Sequence, residues 1–324
     1  MKKNKKYYLL ALYIAFIFSF KFWHIEKIEV PYSHHSSTYV SSYGFTQSSN
    51  IKPSRIDKTL DQYLDPEKIT HGAILAIEAS SFPVFYKEFF PKIKAPFTLI
   101  VTSKDQAFPS ESNTDIDSFL GDKKVMHVFA QNCDYCGDKV NISSIPCGLD
   151  FFPALSKKNA KLARRSPKAQ EHKIDQVISL LKPINERKKR VYIDAGFHDM
   201  QAIFDELVKI ALVVKQDDSM LIDDLRKKKG EYAFIVCPTE KALDAGCIWE
   251  NLILGSIVIV KSSPIDKIYD GFPVVIVDDW SEINEQNLYI WYDRYAHDME
   301  SPEYRKKLTQ AYWMSKISAA IDTF

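Results

Sequence analysis

The stretch 244-DAGCIWENLILGSIVIVKSSP-264 predicts a helix that leads directly into a buried strand. Asp244 opens the loop before the helix, which we expect to begin near Ile248 and to end at Gly255, because glycine commonly terminates helices. The β-branched run that follows is typical of a strand buried on both faces of a parallel sheet. Lys261 then marks the carboxyl end of that strand. A helix packed on such a strand predicts an α/β fold.

The same alternation of apolar strands and helical segments continues on both sides of this stretch. Strands are predicted within 72–79, 97–103, 124–132, 190–196, 231–238, 256–262 and 272–280, and helices within 81–93, 199–214, 281–296 and 301–321. Strands that alternate with helices form parallel βαβ units, whose ligand sites lie at the carboxyl ends of the strands. A basic run between 155 and 189 is typical of a solvated surface and suits a boundary. We therefore predict two Rossmann-like domains, 66–185 and 186–324, the second with terminal helices.

The N-terminus has the pattern of a membrane anchor. Four lysines within residues 1–6 precede an apolar run at 7–23 that is rich in aromatic residues. The run has the length of a short transmembrane helix, and the lysines place residues 1–6 in the cytosol. A cleaved signal peptide and a peripheral amphipathic segment are the alternatives. Residues 24–65 are rich in serine, threonine, tyrosine and histidine, which is typical of a stem between a membrane and a domain.

Composition excludes some classes of partner and site. The chain carries 43 Lys+Arg against 42 Asp+Glu, a formal charge of +1, so no nucleic-acid partner is expected.

Cys133 and Cys136 form a C-x-x-C motif without the second pair that a zinc finger needs. In a lumenal compartment, the five cysteines would allow one or two disulfides. Asn141 begins a glycosylation sequon that applies only in a eukaryotic secretory compartment.

The head of the predicted helix is a candidate anion site. Amide groups in the first turn of a helix and the helix dipole favour negative ligands, and Lys261, Ser262 and Ser263 end the next strand. Glu250, which we expect to lie in that first turn, is either a carboxylate that favours the helix dipole or an acceptor for the ribose hydroxyls of a nucleotide sugar. Trp249 is either a core residue or a platform for a base.

The order of these motifs resembles exostosin-type glycosyltransferases. The similarity covers 232–283, and a looser similarity covers 127–151, where Phe-Ala-Gln-Asn leads to a Pro-x-Gly-Leu turn. The family carries a strand that ends in proline, a loop aspartate, Trp-Glu-x-Leu-x-x-Gly and Pro-Val-x-x-Val-x-x-Trp. The matching residues are Pro238, Asp244, Trp249, Glu250, Leu252, Gly255, Pro264, Pro273, Val274 and Trp280.

The resemblance implies a GT-B fold of two facing Rossmann-like domains, with the nucleotide-sugar donor bound mainly by the second. It also implies a UDP-sugar donor, a glycan acceptor, inversion at the sugar, no required metal and a single-pass type II membrane topology. The compartment would be the Golgi or endoplasmic reticulum in a eukaryote and the cell envelope in a bacterium. The family commonly has an arginine where this chain has Cys247. Lys241 or Lys261 could supply the missing positive charge to the diphosphate, although lysine lacks the fork of arginine.

The catalytic base should lie in the first domain. Glu78, Asp105 and Asp134 follow predicted strands there, and the sequence does not choose among them. The acidic pairs 217–218, 223–224 and 278–279 lack the spacing of a metal-binding Asp-x-Asp motif, so no metal site is predicted, although the last pair follows a strand. The alternative function is that of a membrane-tethered, catalytically weak GT-B protein that binds glycan or assists a partner transferase.

Overall fold

The computed structural model describes residues 37–54, 58–103, 105–135, 137–151, 166–194, 201–215, 220–239, 242–297, 299 and 301–321. The predicted cytosolic tail at 1–6, the predicted anchor at 7–23, the first part of the predicted stem and Lys241 lie outside this part of the chain. Within the described ranges, no helix has both the length and the apolar character needed to cross a bilayer.

The first half of the chain forms a four-stranded parallel sheet. Its strands are β1 (Ala73–Glu78), β2 (Phe97–Thr102), β3 (Val125–Ala130) and β4 (Ile142–Ser144), and they lie in the order β1-β2-β3-β4. Both β2 and β3 are buried along their whole length, as expected for apolar strands covered on both faces. The three strands predicted here are confirmed, and the short β4 was not predicted.

The second half forms a five-stranded parallel sheet. Its strands are β5 (Lys188–Ile193), β6 (Val213–Val214), β7 (Tyr232–Val236), β8 (Ile257–Lys261) and β9 (Val274–Val277), in the order β6-β5-β7-β8-β9. The chain adds β6 on one side of β5 and then adds β7, β8 and β9 on the other side. The direction in which strands are added therefore reverses between β5 and β7. A parallel sheet of this order binds its ligands outside the carboxyl ends of the strands at that reversal.

The helices of the described chain are mostly short. They are α1 (Ser42–Ser48), α2 (Phe82–Val84), α3 (Ile116–Gly121), α4 (Pro167–Ile178), α5 (Gln201–Leu207), α6 (Ile222–Lys229), α7 (Gly246–Ile253), α8 (Glu285–Tyr295), α9 (Pro302–Lys307) and α10 (Gln310–Ile321). A π-helical turn, Phe85–Phe89, continues α2. The α/β class with two parallel sheets is thus confirmed, and its architecture is compatible with two Rossmann-like domains.

Helix α7 begins two residues before the predicted position. A Cβ on Gly246, its first residue, would lie 3.0 Å from the Cβ of Asp150, so the glycine lets the helix head approach the first half of the chain. Gly255 has a φ of +73°, the left-handed conformation that terminates a helix, as predicted. Glu250 is therefore the fifth residue of the helix, and the prediction that it lies in the first turn was wrong.

The folded part of the chain begins earlier than the predicted stem allows. Residues 37–51 lie inside the predicted stem at 24–65, yet Val40 and Phe45 are fully buried. Backbone bridges join Tyr39 to Thr309 and Ser41 to Gly148, so this segment contacts both halves. Its serines and threonines satisfy local caps and hydrogen bonds instead of forming a solvated linker, which explains why composition alone was misleading.

The two halves share one hydrophobic core. A single cluster of buried residues contains Ile100 of β2, Phe129 of β3, Tyr192 of β5 and Val258 of β8. Two further clusters fill the outer faces of the sheets, one in each half. The predicted boundary at 185/186 therefore separates two sheets but does not separate two independent cores.

Candidate functional site at the reversal of the second sheet

The reversal between β5 and β7 has polar residues at its carboxyl edge. Asp194 follows β5 directly and is buried, and Cys237 follows β7 directly and is also buried. The amide of Asp194 donates to the Val236 carbonyl (3.0 Å), which holds the two strand ends together. This edge is where a parallel sheet of this order binds ligands.

Glu250 lies at this edge within a buried ionic network. Its Oε2 accepts from Arg226 Nη2 (2.6 Å) and Nε (3.0 Å), and its Oε1 accepts from Lys229 Nζ (3.1 Å). Lys229 Nζ also donates to Asp194 Oδ2 (2.5 Å). Asn251 Nδ2 donates to the same Asp194 oxygen (2.7 Å). We call these five residues the Glu250 cluster.

The charges of the Glu250 cluster balance, since two carboxylates face a guanidinium and an ammonium. Burial opposes the charge of Glu250, but Arg226 and Lys229 outweigh it and lower the pKa of this carboxyl from 4.5 to about 2. Burial likewise opposes the charge of Lys229, but Asp194 and Glu250 raise the pKa of its ammonium. Glu250 and Lys229 are therefore charged near neutral pH.

Two cysteines adjoin the cluster. Cys237 Sγ accepts a hydrogen bond from Asn251 Nδ2 (3.4 Å), and the backbone carbonyl of Cys247 accepts another from the same nitrogen (2.8 Å). The thiol sulfurs of these cysteines and a carboxylate oxygen of Asp194 all lie within 4.8 Å of one another. All four described cysteines, which also include Cys133 and Cys147, carry free thiols.

Asp244 joins the two halves of the chain. Its carboxylate is fully buried and accepts from Trp249 Nε1 (2.8 Å), Tyr269 Oη (3.0 Å) and the amide of Cys147 (2.7 Å). Its own amide donates to Asn132 Oδ1 (2.6 Å). Burial raises the pKa of Asp244, and the hydrogen bonds that it accepts act in the opposite direction. We call Asp244, Asn132, Cys147, Trp249 and Tyr269 the Asp244 hub.

The Phe-Ala-Gln-Asn motif, residues 129–132, forms hydrogen bonds at the carboxyl end of β3. Gln131 and Asn132 follow β3 and are buried. Gln131 Oε1 accepts from the Ser103 amide (2.8 Å) and from Ser42 Oγ (2.9 Å), which connects the ends of β2 and β3 to α1. Asn132, at a φ of +50°, turns its side chain towards the second half. The motif thus carries the connection between the carboxyl edges of the two sheets.

The predicted donor-binding residues have different environments. Trp249 is a core residue, fully buried and edge-to-face with Phe272 (5.2 Å between ring centroids). Lys261 ends β8, donates to the Asp278 carbonyl (2.8 Å) and lies over the Trp280 ring (5.1 Å).

The two serines that follow Lys261 cap a turn. Ser262 Oγ donates to Asp266 Oδ2 (2.8 Å), and the amide of Ser263 donates to Asp266 Oδ1 (2.9 Å). Ala245 at the N-cap of α7 offers no side-chain acceptor, so the first amides of this helix are not capped by that residue.

The three candidate bases do not converge. Glu78 is exposed at the end of β1. The half-buried Asp134 accepts from the Ser110 amide (3.3 Å), within its own half of the chain. The exposed Asp105 is close enough to Cys147 of the Asp244 hub to act on its thiol electrostatically. Of the three candidates, Asp105 is the one whose charge acts on a residue of the Asp244 hub.

Asn141, the sequon residue, is engaged inside the protein. Its Nδ2 donates to the carbonyls of Leu120 (2.9 Å) and Val125 (3.2 Å). A glycan is attached through this nitrogen, so glycosylation of the folded chain would replace these bonds.

No protein-family model matches this sequence, and no curated protein is detectably similar to it. The likeness to exostosin-type enzymes therefore rests on the motifs themselves. Any function must be argued from the geometry of the site.

Four buried residues of the site were not predicted: Asp194, Arg226, Lys229 and Asn251. Asp194 had a usable signal, because an aspartate that ends a buried strand two residues before a glycine lies at the edge where ligands bind. Arg226 and Lys229 had none, because "LRKKKG" has the pattern of a solvated basic helix end. Their burial depends on α6 packing against α4 and β7, from where their side chains reach Glu250 of α7.

Proposed function

We propose that the protein is a glycosyltransferase of the GT-B type that moves a sugar from a nucleotide-sugar donor, a UDP-sugar in the first instance, to a glycan hydroxyl. The observation that supports this best is the Asn132–Asp244 hydrogen bond, which joins the carboxyl edges of the two parallel sheets beside the head of α7. A transferase of two Rossmann-like halves needs donor and acceptor to meet at such a junction. In this proposal, residues 7–23 anchor the chain as a type II membrane protein, in the Golgi or endoplasmic reticulum of a eukaryote or the cell envelope of a bacterium.

The donor would bind at the second sheet. Ala245 gives the Gly246 and Cys247 amides at the head of α7 no side-chain cap, so these amides suit a diphosphate, and Lys261 at the end of β8 adds a positive charge. Glu250 Oε1 has unused acceptor capacity, because it accepts one hydrogen bond and each oxygen of an ionised carboxylate can accept about two. A ribose hydroxyl could therefore donate to Glu250 beside its cations.

Transfer with inversion requires a base on the acceptor side. Asp105 is the first candidate, because its charge acts on Cys147 of the Asp244 hub and because it is exposed to solvent. It would take the proton of the acceptor hydroxyl as the oxygen attacks the anomeric carbon. The nucleoside diphosphate would leave from the opposite face towards the helix amides.

A specific observation also favours the second candidate, a catalytically weak protein that binds glycan or assists a partner transferase. Both oxygens of Glu250 are already bonded to Arg226 and Lys229, and Cys247 stands where the family commonly has an arginine. These features fit a protein that has the GT-B fold but binds a nucleotide-sugar donor weakly. The transferase should bind a nucleotide, whereas the weak, glycan-binding protein should not.

A thermal-shift screen of the purified full chain against UDP, GDP, CMP and their sugars, with and without EDTA, tests the proposal. We expect one nucleotide class to raise Tm, and Lys261→Ala to reduce that shift. Lys267→Ala removes an exposed lysine from the same loop and should leave the shift unchanged. Donor hydrolysis or transfer should follow the same nucleotide. No shift with any nucleotide would favour the weak, glycan-binding candidate.

A further inference from the structure

We propose that Asp194, Cys237 and Cys247 bind a divalent metal ion of the zinc type. They come from three separate elements: the end of β5, the end of β7 and the second residue of α7. One ligand atom from each, a carboxylate oxygen and two thiol sulfurs, lies within 4.8 Å of the other two. The three therefore converge at the reversal of the second sheet, where this fold binds ligands.

The donor set and its spacing fit Zn²⁺. Zinc prefers thiolate, imidazole and carboxylate ligands in a tetrahedral arrangement, with bonds of ~2.3 Å to sulfur and ~2.0–2.2 Å to oxygen. Those bond lengths place neighbouring ligand atoms roughly 3.3–3.8 Å apart. From separations of up to 4.8 Å, the side chains need to move inwards by about 1 Å. Rotation about the Cα–Cβ bonds of the cysteines can provide a shift of this size.

The residues around the three ligands would orient and stabilise them. Asn251 Nδ2 donates to Cys237 Sγ (3.4 Å) and to Asp194 Oδ2 (2.7 Å), and Lys229 Nζ donates to the same oxygen. Donors directed at ligating sulfur and carboxylate are the usual surroundings of a bound metal. The other oxygen of Asp194 can then ligate, since a carboxylate has two.

Charge balance favours the same conclusion. Asp194, Glu250, Arg226 and Lys229 already sum to zero. A divalent ion bound by two cysteines displaces two protons to solvent, and the two thiolates neutralise its charge. The buried site therefore stays neutral when the metal is bound. Three neutral ligands would instead leave the charge of the ion uncompensated.

The site would have an open coordination position. Three protein ligands leave the fourth position of a tetrahedral zinc free for water or a ligand, and Cys247 is only half-buried. Cys247 occupies the position where exostosin-type enzymes commonly have an arginine for the diphosphate. If the proposed function holds, the metal supplies the positive charge that this arginine would provide, and a diphosphate oxygen takes the fourth position.

The test uses the reduced, metal-stripped full chain and titrates it with Co²⁺ and then with Zn²⁺. We expect one equivalent of Co²⁺ to give sulfur-to-cobalt charge-transfer absorption, which zinc then displaces. Cys247→Ser and Cys237→Ser should each weaken binding at least tenfold, in line with the loss of one thiolate ligand. Cys133→Ser removes a buried free thiol outside the site and should leave binding unchanged.

Circular dichroism of each variant separates loss of the site from loss of folding. Cys247 is half-buried, so Cys247→Ser is the variant that should fold normally. Absence of the charge-transfer band in the folded wild type would overturn the metal site. Equal metal binding by the wild type and the folded Cys247→Ser variant would also overturn the metal site. A Cys237–Cys247 disulfide that persists in the native chain and excludes the metal would have the same consequence.

Nucleotide binding is measured separately, with and without bound zinc. Metal binding without any nucleotide shift would leave the metal site standing and contradict the transferase proposal. A nucleotide shift in a chain that binds no metal would support the transferase proposal and contradict the metal site. A nucleotide affinity that rises at least tenfold with zinc, and does not rise in Cys247→Ser, would support both.

Discussion

Glu250 combines a structural role with a candidate functional one. Its carboxylate lies between Arg226 and Lys229, and only 7% of the residue remains exposed. If Glu250 faced a cleft, Glu250→Ala would reduce donor binding more than stability. Glu250 is buried instead, and its removal takes from Arg226 and Lys229 the carboxylate that these two cations share.

We therefore predict that Glu250→Ala lowers the free energy of unfolding by about 3–5 kcal/mol, the usual cost of breaking a buried ion pair from one side. The measurement is urea denaturation of the full chain. Glu231→Ala is the matched control, because Glu231 pairs with Lys188 and Lys228 at the surface and should cost less than about 1 kcal/mol. A loss for Glu250→Ala no larger than that of the control would contradict the buried network.

The same carboxylate should make stability depend on acid pH. The pKa of Glu250 in the folded chain, about 2, lies below the ordinary 4.5, so its charge contributes stability above pH 4.5 that is lost as the pH falls towards 2. That contribution is on the order of 3 kcal/mol. Glu250→Gln should lose less stability than wild type between pH 4.5 and 2 when both are followed by denaturation. Parallel curves over that range would show that Glu250 does not titrate as described.

At the scale of the elements, α1 and the residues around it are part of the fold. Ser41 caps α1 through a hydrogen bond from the Gly44 amide (2.9 Å), and Ile51 forms a parallel bridge with Leu75 of β1. Gly148 has a φ of +67°, and a Cβ there would lie 2.1 Å from the Val40 carbonyl oxygen. Only a glycine allows the chain at Val40 to approach so closely.

We predict that a chain that starts at residue 52 loses its cooperative unfolding transition, whereas a chain that starts at residue 34 keeps it. Within the longer chain, Phe45→Ala should cost about 3–5 kcal/mol, because Phe45 is fully buried in the shared core. Gln47→Ala, on a partly exposed position of the same helix, should change stability by no more than about 0.5 kcal/mol. Normal folding of the chain that starts at residue 52 would restore the stem prediction.

At the scale of the whole molecule, the Asp244 hub couples the two halves. Trp249 Nε1, Tyr269 Oη and the Cys147 amide all donate to one buried carboxylate. These donors come from α7, from the turn before β9 and from the loop after β4, so a single side chain joins parts that lie far apart in the sequence. Asp244 was predicted as a donor-binding residue, and its full burial gives it a positioning role between the halves.

We predict that Asp244→Ala costs at least 3 kcal/mol, because it leaves three buried donors without an acceptor at about 1–3 kcal/mol each. Tyr269→Phe removes one of those hydrogen bonds cleanly and should cost about 1 kcal/mol. Four of the five tryptophans lie within 249–313, so their fluorescence reports on the second half, while circular dichroism reports on both. The two signals should coincide in the wild type and separate in Asp244→Ala. An unchanged midpoint in Asp244→Ala would contradict the coupling.

Much of the architecture was determined by the sequence alone. Strands such as β2, β3, β7 and β8 are short β-branched or aromatic runs, and their alternation with amphipathic segments is sufficient to predict parallel sheets. Gly255 ended its helix as predicted, because a φ of +73° suits glycine. Local propensity and pattern determine such features, so they can be predicted without knowledge of any distant contact.

The site was decided by tertiary structure. Arg226 and Lys229 have the pattern of a solvated helix end, and Cys237 and Cys247 are ten positions apart with no metal-binding spacing. Their roles arise only when β5, β7, α6 and α7 bring them beside Asp194 and Glu250. Burial lowers the local dielectric, so the same charges that would be weak contacts in water become a tightly paired network. Sequence pattern determined where strands and helices form, and packing at the reversal of the second sheet decided which side chains meet there.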